Sequence, residues 1–141
     1  MLETRILKSP DDLSDAFFVR EEVFTREQGF AAPDTDDKEE QSLHVVLYQD
    51  GRPIATGRTY PGEEGVYHIG RICVLKEFRK LHLGKRLMDE LERLAAAQGA
   101  GLLVLGAQLY AVPFYEKCGF TPTGERYMDE FCEHEYLQKR L

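Results

Sequence analysis

The stretch RICVLKEFRKLHLGKRLMDEL, residues 71–91, decides the fold, because a strand pattern passes there into a helix pattern. RICVL has the composition of a β-strand, and from Leu83 the apolar residues recur at helical spacing. Gly84, Lys85 and Arg86 open the helix, where free backbone N–H groups and the helix dipole form an anion site. Basic residues oppose the dipole at this end, so a bound anion would explain them. The alternative is a solvated basic helix start without a ligand.

Length and composition limit what the chain can be. A chain of 141 residues with 43% hydrophobic residues can bury about two-thirds of its unfolded surface in one core. Residues 1–141 are therefore predicted to form a single domain. The net charge of −7, from 18 basic and 25 acidic residues, argues against nonspecific binding to a nucleic-acid backbone.

The sequence has no pattern of a secreted or membrane-spanning protein. Its first ten residues alternate and lack the apolar run of a signal peptide. The longest apolar stretch, residues 101–114, is interrupted and is shorter than the roughly 20 residues that cross a bilayer. Three cysteines without CxxC spacing predict neither a disulfide framework nor a metal site. We expect a cytoplasmic protein with no membrane or nucleic-acid partner and no metal.

Strand and helix patterns alternate through the N-terminal half. Residues 4–8 predict a first strand, and Ser9 and Pro10 predict the N-cap and first position of a helix. Asp50-Gly51 separates two β-rich runs, as in a tight hairpin whose turn residues need positive φ. Residues 66–75 predict a further strand, antiparallel to the one before it.

The C-terminal half continues the alternation. It predicts a helix over 83–99, a buried strand over 101–107 with both faces covered, a short helix from Pro113 to Gly119 and two final strands. The order β-α-(α)-β-β-β-α-β-α-β-β describes an α/β fold with a mixed sheet.

A second candidate site is QLYAVPFYEKCGF, residues 108–120. A buried strand leads there into a short helix that carries Phe114 and Tyr115 and stops at Gly119. Aromatic residues at such spacing usually belong to a core, so by itself the stretch is ambiguous.

Together, the two candidate stretches resemble the GNAT superfamily of N-acetyltransferases. The likeness covers essentially the whole chain, and VREEVFTREQGF, LHVVLYQDGRPIATGR and IGRICVLKEFR further resemble its YjcF- and ElaA-like branch. The resemblance implies a central, mixed, mostly antiparallel twisted sheet of six to seven strands flanked by about four helices. It also implies acetyl-CoA as co-substrate, with no metal.

The resemblance further implies where the co-substrate binds. In the family, pyrophosphate lies on the backbone amides of an Arg/Gln-x-x-Gly-x-Gly/Ala loop. Arg79 and Gly84 match the ends of this loop, and His82 stands at its usual first glycine, which the backbone tolerates if φ is negative. Gln108 falls where many members have Asn. The predicted cofactor-binding residues are Ile72, Cys73, Val74, Arg79, Lys80, Leu81, His82, Leu83, Gly84, Lys85 and Gln108.

Catalytic roles follow from the same resemblance. Tyr115 matches the family tyrosine that faces the thioester sulfur, so it is the predicted general acid for the departing thiolate. His134 is the predicted base, since an imidazole titrates at about 6.5 and suits deprotonation of an amine near neutral pH. A water wire, with His134 as a surface residue on an edge strand, is the alternative. A backbone N–H within residues 72–74 would meet the oxyanion.

Substrate contacts are the least determined. Arg20 and Glu27 lie in the segment that forms the rim of the amine site in the family, although a solvated helix face fits them equally. The acidic run over residues 34–40 is expected to be a solvated loop, with steering of a cationic amine as the alternative. His44 and His68 are expected to be structural.

The predicted function is direct transfer of an acetyl group from acetyl-CoA to the primary amine of a small molecule in a ternary complex. A CoA-binding regulatory module without catalysis and an acyltransferase for longer acyl-CoAs are the alternatives. The amine and the oligomeric state stay open, a homodimer among the alternatives.

Overall fold

The computed structural model describes all 141 residues, Met1–Leu141, built around one seven-stranded mixed sheet. The strands lie in the order β1-β2-β3-β4-β5-β7-β6, and every neighbouring pair is antiparallel except β4 and β5. Their bounds are β1 Leu2–Leu7, β2 Leu43–Gln49, β3 Arg52–Pro61, β4 Val66–Val74, β5 Leu102–Gln108, β6 Thr121–Asp129 and β7 Cys132–Arg140. The predicted sheet and element order are confirmed.

Helices cover parts of both sheet faces. They are α1 Ser14–Arg20, which continues as a π-helix over Glu21–Glu27, α2 Leu83–Ala97 and α3 Val112–Lys117. Short 3₁₀ turns occupy Glu39–Gln41, Lys76–Leu81 and Leu109–Ala111. None of the helices has the length and apolar composition that crossing a membrane requires.

The hairpin forms where the sequence predicts it. Asp50 and Gly51 connect β2 to β3 with φ values of 52° and 82°, the conformation that a two-residue hairpin turn demands.

The predicted start of the first helix at Pro10 is wrong, since α1 begins at Ser14. The Asp11 carboxylate accepts a hydrogen bond from Lys8 N–H, and Asp11 N–H donates to the Lys8 carbonyl, each at 2.9 Å. These bonds close a turn around Ser9, so Ser9 does not cap the helix. Asp12 Oδ1 instead accepts the Ser14 N–H at 2.9 Å.

The two sheet faces are covered unequally. On β5, Leu103, Leu105 and Ala107 are buried, whereas Gly106 between them is exposed. Helix α2 covers the first face, and α1 packs on the other face only over β2, β3 and β4. The prediction that both faces of β5 are covered is therefore wrong, and the uncovered face becomes the floor of a cleft.

A β-bulge interrupts the pairing of β3 with β4, next to the gap between β4 and β5. Thr56 pairs with Cys73 and Arg58 with Gly70, so Arg71 and Ile72 together oppose the single residue Gly57. Arg71 adopts φ 54°, an uncommon value for a residue with a side chain.

The parallel pairing of β4 and β5 ends soon after it begins. It joins Val66–His68 to Leu102–Val104 and goes no further, although β4 runs on to Val74 and β5 to Gln108. The two strands therefore diverge at their C-terminal ends and leave backbone N–H and C=O groups unpaired along the opening.

Packing at the bulge depends on the missing side chain of Gly57. A Cβ atom at Gly57 would overlap Ile72 Cδ1 and lie 2.9 Å from Leu91 Cδ1 of α2. A Cβ at Gly70, on the same bulge, would meet nothing within 4 Å.

We predict that Gly57→Ala lowers the free energy of unfolding by about 1–3 kcal/mol, because the added methyl overpacks the bulge against α2. Urea denaturation measures the loss, and Gly70→Ala is the matched control, expected to leave stability unchanged or slightly higher. Equal effects of the two substitutions would contradict this account.

Candidate active site

A cleft of about 940 Å³ opens where β4 and β5 diverge. Its walls come from both diverging strands, the π-helix and the segment after it, the starts of α2 and α3, and the β6–β7 hairpin. Ten predicted site residues line it: Ile72, Cys73, Val74, Arg79, His82, Gly84, Lys85, Gln108, Tyr115 and His134. The other predicted residues lie outside the lining.

The start of α2 faces this cleft with free backbone donors. No side chain caps the helix, and its first turn contains no acidic residue. Lys85 pairs with Asp89 one turn later, and Arg86 donates to Thr4 Oγ1 at 3.1 Å. Both side chains are donors only, so neither occupies the free amides. Gly84 lies against the Phe114 ring of α3, where a Cβ would be 3.0 Å from Cζ. This end of α2 has the features of an anion site.

His82 precedes α2 in the left-handed conformation, with φ 57° and ψ 32°. The condition of a negative φ, under which a residue with a side chain replaces the family glycine without strain, is therefore not met. The 3₁₀ turn over Lys76–Leu81 ends at His82, and α2 begins at the next residue. His82 is therefore the single left-handed residue between two right-handed helical segments. The family glycine would adopt the same conformation without strain.

Arg79 is held by protein groups at the edge of the cleft. Its Nε donates to the Val74 carbonyl at 2.9 Å, and its two terminal nitrogens bind the Glu27 carboxylate, one of them at 2.6 Å. These hydrogen bonds hold the pKa of Glu27 below its usual value. Glu27 thus joins the π-helix to the turn before α2 and does not line the cleft.

Three predicted cofactor-loop residues contribute no side chain to the lining. Lys80 and Leu81 are exposed, and Leu83 is buried in the core beneath α2.

Tyr115 lies on α3 at the inner end of the cleft. It is 9% exposed and packs edge-on against Phe114 and Phe120, with ring centroids 5.0 and 6.3 Å away. Burial raises the pKa of the phenol above its ordinary value. Tyr115 therefore carries its proton at neutral pH and can act as a hydrogen-bond donor.

His134 lies on β7, an interior strand between β5 and β6, and is 8% exposed. It is therefore not a surface residue on an edge strand. Its Nδ1 is 3.1 Å from the Cys132 carbonyl oxygen, and its ring stacks on Tyr127 with centroids 5.0 Å apart. A carbonyl oxygen only accepts, so Nδ1 donates, and in the neutral ring Nε2 is left as a proton acceptor.

Gln108 lines the cleft at the C-terminal end of β5. Its Nε2 donates to Gln28 Oε1 at 2.7 Å, which links β5 to the residue that follows the π-helix. This bond spans the opening between the sheet and the helical wall.

Arg20 is buried behind the cleft in an ion-pair network. It is 1% exposed and binds the Glu39 carboxylate at 2.6 and 3.0 Å and the Asp34 carboxylate. All the charge-bearing groups of Arg20 are thus engaged by protein partners, away from the cleft surface.

The acidic loop supplies the carboxylates of that network. Arg58 binds Asp36 at 2.7 and 2.8 Å and Glu39 at 2.9 Å, and Arg71 binds Asp34 at 3.1 Å. The expected solvated loop is therefore wrong for Asp34, Asp36 and Glu39. The acidic run gives no sign of this network in the sequence, because its arginine partners come from α1, β3 and β4.

Burial determines the roles of His44 and Cys73. His44 is fully buried beside Glu39, with its pKa lowered by desolvation, and it is structural as predicted. Burial likewise raises the pKa of the Cys73 thiol, so Cys73 stays protonated and is a poor nucleophile.

Several cleft residues escaped the sequence analysis. They are Phe30, Arg58, Tyr60, Arg71, Tyr127, Asp129, Glu130 and Tyr136; His68, expected to be structural, also lines the cleft. The period-2 alternation of β6 and β7 could have placed Tyr127, His134 and Tyr136 on one face, but strand order was needed to set that face against β5.

Comparison with known proteins agrees with this architecture. The Acetyltransferase (GNAT) family model matches residues 10–120. The uncharacterized N-acetyltransferase YjcF of Bacillus subtilis (strain 168) is 40% identical over 136 residues, covering 95% of this chain and 96% of YjcF.

Two solved structures share the fold. Escherichia coli ElaA superposes with a TM-score of 0.89 at 23% identity, covering 99% of this chain and 100% of ElaA. An acyl-CoA N-acyltransferase from Pseudomonas aeruginosa superposes with a TM-score of 0.90 at 24% identity, covering 99% of each chain.

We predict that the ion-pair network makes the protein acid-sensitive. Hydrogen bonds from Arg58 lower the pKa of Asp36 from 3.8 to about 2. The stabilisation is complete above the unfolded pKa of 3.8 and is lost as the pH falls through the folded value of about 2. The free energy of unfolding, measured by denaturant titration, should therefore decline steadily across that interval.

Asp36→Asn should remove part of this decline and lower stability at pH 7. Asp37→Asn, in the same loop but without an ion pair, is the control and should leave the profile unchanged. An identical profile for wild type and Asp36→Asn would count against the network.

We predict that His82→Gly raises the free energy of unfolding by up to about 1 kcal/mol, because glycine adopts the left-handed conformation without a Cβ clash. CoA affinity, measured by calorimetry, should be equal or tighter. Asp50→Gly, at φ 52° in the distant hairpin, is the matched control for the backbone effect and should not change CoA affinity. A large loss of affinity in His82→Gly alone would mean that the imidazole itself holds the ligand.

Proposed function

Because the chain belongs to the acetyltransferase (GNAT) family, in its YjcF- and ElaA-like branch, we propose that it transfers an acetyl group from acetyl-CoA to the primary amine of a small molecule. Family membership makes the chain an acyltransferase with a CoA-type co-substrate and a small-molecule acceptor. The acetyl group, the amine and the residue roles below belong to the proposal.

The observation that carries the proposal is the opening of β4 and β5 beside the uncapped start of α2. Backbone pairing stops after His68 and Val104, so the two diverging strands expose hydrogen-bonding groups on both sides of the gap. The pantetheine arm of CoA has two amides and can continue the interrupted ladder on either strand. The N-terminal amides of α2, with Gly84 and Lys85, would then receive the pyrophosphate.

The thioester would lie between β4 and Tyr115. In this position a backbone N–H within Ile72–Val74 can donate to the developing oxyanion, at no reorganisation cost because the strand is already ordered. The amine nitrogen forms a bond to the carbonyl carbon, and the bond from that carbon to sulfur breaks.

Two protons move during this transfer. The attacking amine loses a proton to His134 Nε2, the imidazole nitrogen left free by the hydrogen bond to Cys132. Tyr115 donates a hydrogen bond to the departing sulfur and can pass its proton to the thiolate. Because burial raises the pKa of Tyr115, its hydroxyl acts mainly by donating a hydrogen bond as negative charge develops on sulfur.

Buried apolar side chains in the cleft lining favour acetyl over longer acyl groups. Ile69 on β4 and Leu105 on β5 line the cleft and are 3% and 5% exposed. We expect these two side chains to limit the room beyond the thioester carbonyl.

We predict that Tyr115→Phe lowers kcat by about 10²-fold with little change in KM for acetyl-CoA, because the lost hydroxyl acts mainly on the leaving thiolate. The assay follows free CoA thiol with an amine panel and with acetyl-, butyryl- and octanoyl-CoA, of which acetyl-CoA should react fastest. His134→Gln should lower kcat similarly, because the attacking amine loses its proton acceptor.

Tyr67→Phe, on β4 outside the cleft lining, is the control and should retain full activity. Unchanged turnover in Tyr115→Phe would remove Tyr115 from the acid role. Tight CoA binding by calorimetry with no thiol release for any amine would favour a regulatory CoA-binding module, and faster reaction of octanoyl-CoA would overturn the acetyl preference.

A further inference from the structure

The uncovered sheet face beyond the thioester position carries a group of stacked rings. Tyr127 pairs with His134 across β6 and β7, and Gly106 pairs with Tyr136 across β5 and β7, so cross-strand register sets these residues on one face. Tyr127 lies against His134 and Tyr136, with centroids 5.0 and 4.6 Å apart and planes tilted by 22° and 32°. We call Tyr127 and Tyr136 the ring platform.

The ring platform extends over β5 because residue 106 is glycine. A Cβ atom at Gly106 would lie 2.9 Å from Tyr127 Cζ and closer still to its hydroxyl. The phenol thus lies along the sheet, in the space that a side chain at residue 106 would occupy. Tyr136 is 41% exposed although it sits in the middle of a concave surface, so the platform is open to a ligand on its upper side.

Further aromatic residues border the same space. Tyr60 stacks on His68 with centroids 5.0 Å apart and planes within 10°. On the opposite wall, Phe30 packs on Phe131 of the hairpin tip at 4.9 Å. Glu130 accepts hydrogen bonds from Ala31 and Ala32 N–H at 2.8 and 2.9 Å, which ties the two walls together across the mouth.

Charges in this part of the cleft disfavour an anionic group on the acceptor. Arg58 and Arg71 are cations of the cleft lining, and both are paired with carboxylates of the acidic loop. Of the acidic lining residues, Asp34 is in the same network and Glu130 is engaged by backbone amides. Asp129 alone among these acids makes no ion pair or hydrogen bond, and it can attract a cationic amine.

Resting on the proposed function, we propose that the acceptor is an arylalkylamine, a primary amine on a short alkyl chain that ends in an unsubstituted or neutral aromatic ring. The ring stacks on Tyr136 and Tyr127, where aromatic pairs contribute beyond the area that they bury. The short chain spans from the platform to His134, whose ring adjoins Tyr127, and so brings the amine to the imidazole.

The test compares 2-phenylethylamine with 2-cyclohexylethylamine, which has the same chain and a similar size but no π-system. Calorimetry on the CoA-saturated protein measures binding, and thiol release with acetyl-CoA measures kcat/KM. We expect 2-phenylethylamine to be favoured about 3–10-fold in both, the range that aromatic stacking supplies. Phenylalanine, which adds a carboxylate to the same skeleton, should bind more weakly than 2-phenylethylamine.

Tyr136→Leu should reduce the phenyl-to-cyclohexyl ratio to about one while CoA affinity stays at the wild-type value. Met128→Leu, an exposed neighbour on β6 whose side chain alternates away from Tyr127, is the matched control and should keep the ratio. An equal affinity for both amines, or a ratio that survives Tyr136→Leu, would overturn the ring platform as the acceptor site.

The two readouts separate this proposal from the proposed function. A phenyl preference in binding without any thiol release would uphold the platform and overturn amine acetylation. Acetylation of both amines at equal kcat/KM would uphold the reaction and overturn the arylalkylamine class.

Discussion

The bulge that sets Arg71 and Ile72 against Gly57 is the constraint on which the rest of the site depends. An uninterrupted β4 would continue its parallel pairing with β5 and close the sheet, leaving no unpaired backbone between them. The extra residue bends β4 away instead, so pairing stops at His68 and Val104. The opening, the free edge of each strand and the approach to Tyr115 all follow from this one irregularity.

The bulge is held from both faces of the sheet. On one face, Ile72 and Leu91 occupy the space that a side chain at Gly57 would need. On the other, the strained Arg71 reaches the acidic loop, whose carboxylates also bind Arg20 and Arg58. Buried ion pairs add little net stability because both partners lose water, but removing one partner is costly. The network therefore acts mainly to fix the position of the acidic loop, whose Asp34 lines the cleft.

Sequence patterns predicted the elements better than the contacts between them. The hairpin at Asp50-Gly51 and the apolar stripe of α2 are local features, set by turn conformation and helical period, and both were predicted correctly. The start of α1 was not, because Asp11 closes a turn with Lys8 and the Asp12 carboxylate binds the Ser14 N–H, so the helix begins after these residues. The left-handed conformation of His82 was not predicted, because it depends on two helical segments that meet at one residue.

The sequence by itself determined the family, the order of the elements and the two stretches that meet at the cleft, because each is encoded in neighbouring residues. Tertiary structure alone decided which charges are free. Arg20, Arg79 and Glu27 look like site residues in the sequence, yet each is engaged by a partner at least 14 residues away. Tertiary structure also brings Tyr127 and Tyr136 together as one surface beside Gly106. Strand order and register, not sequence spacing, place side chains of β5, β6 and β7 on the same face of the sheet.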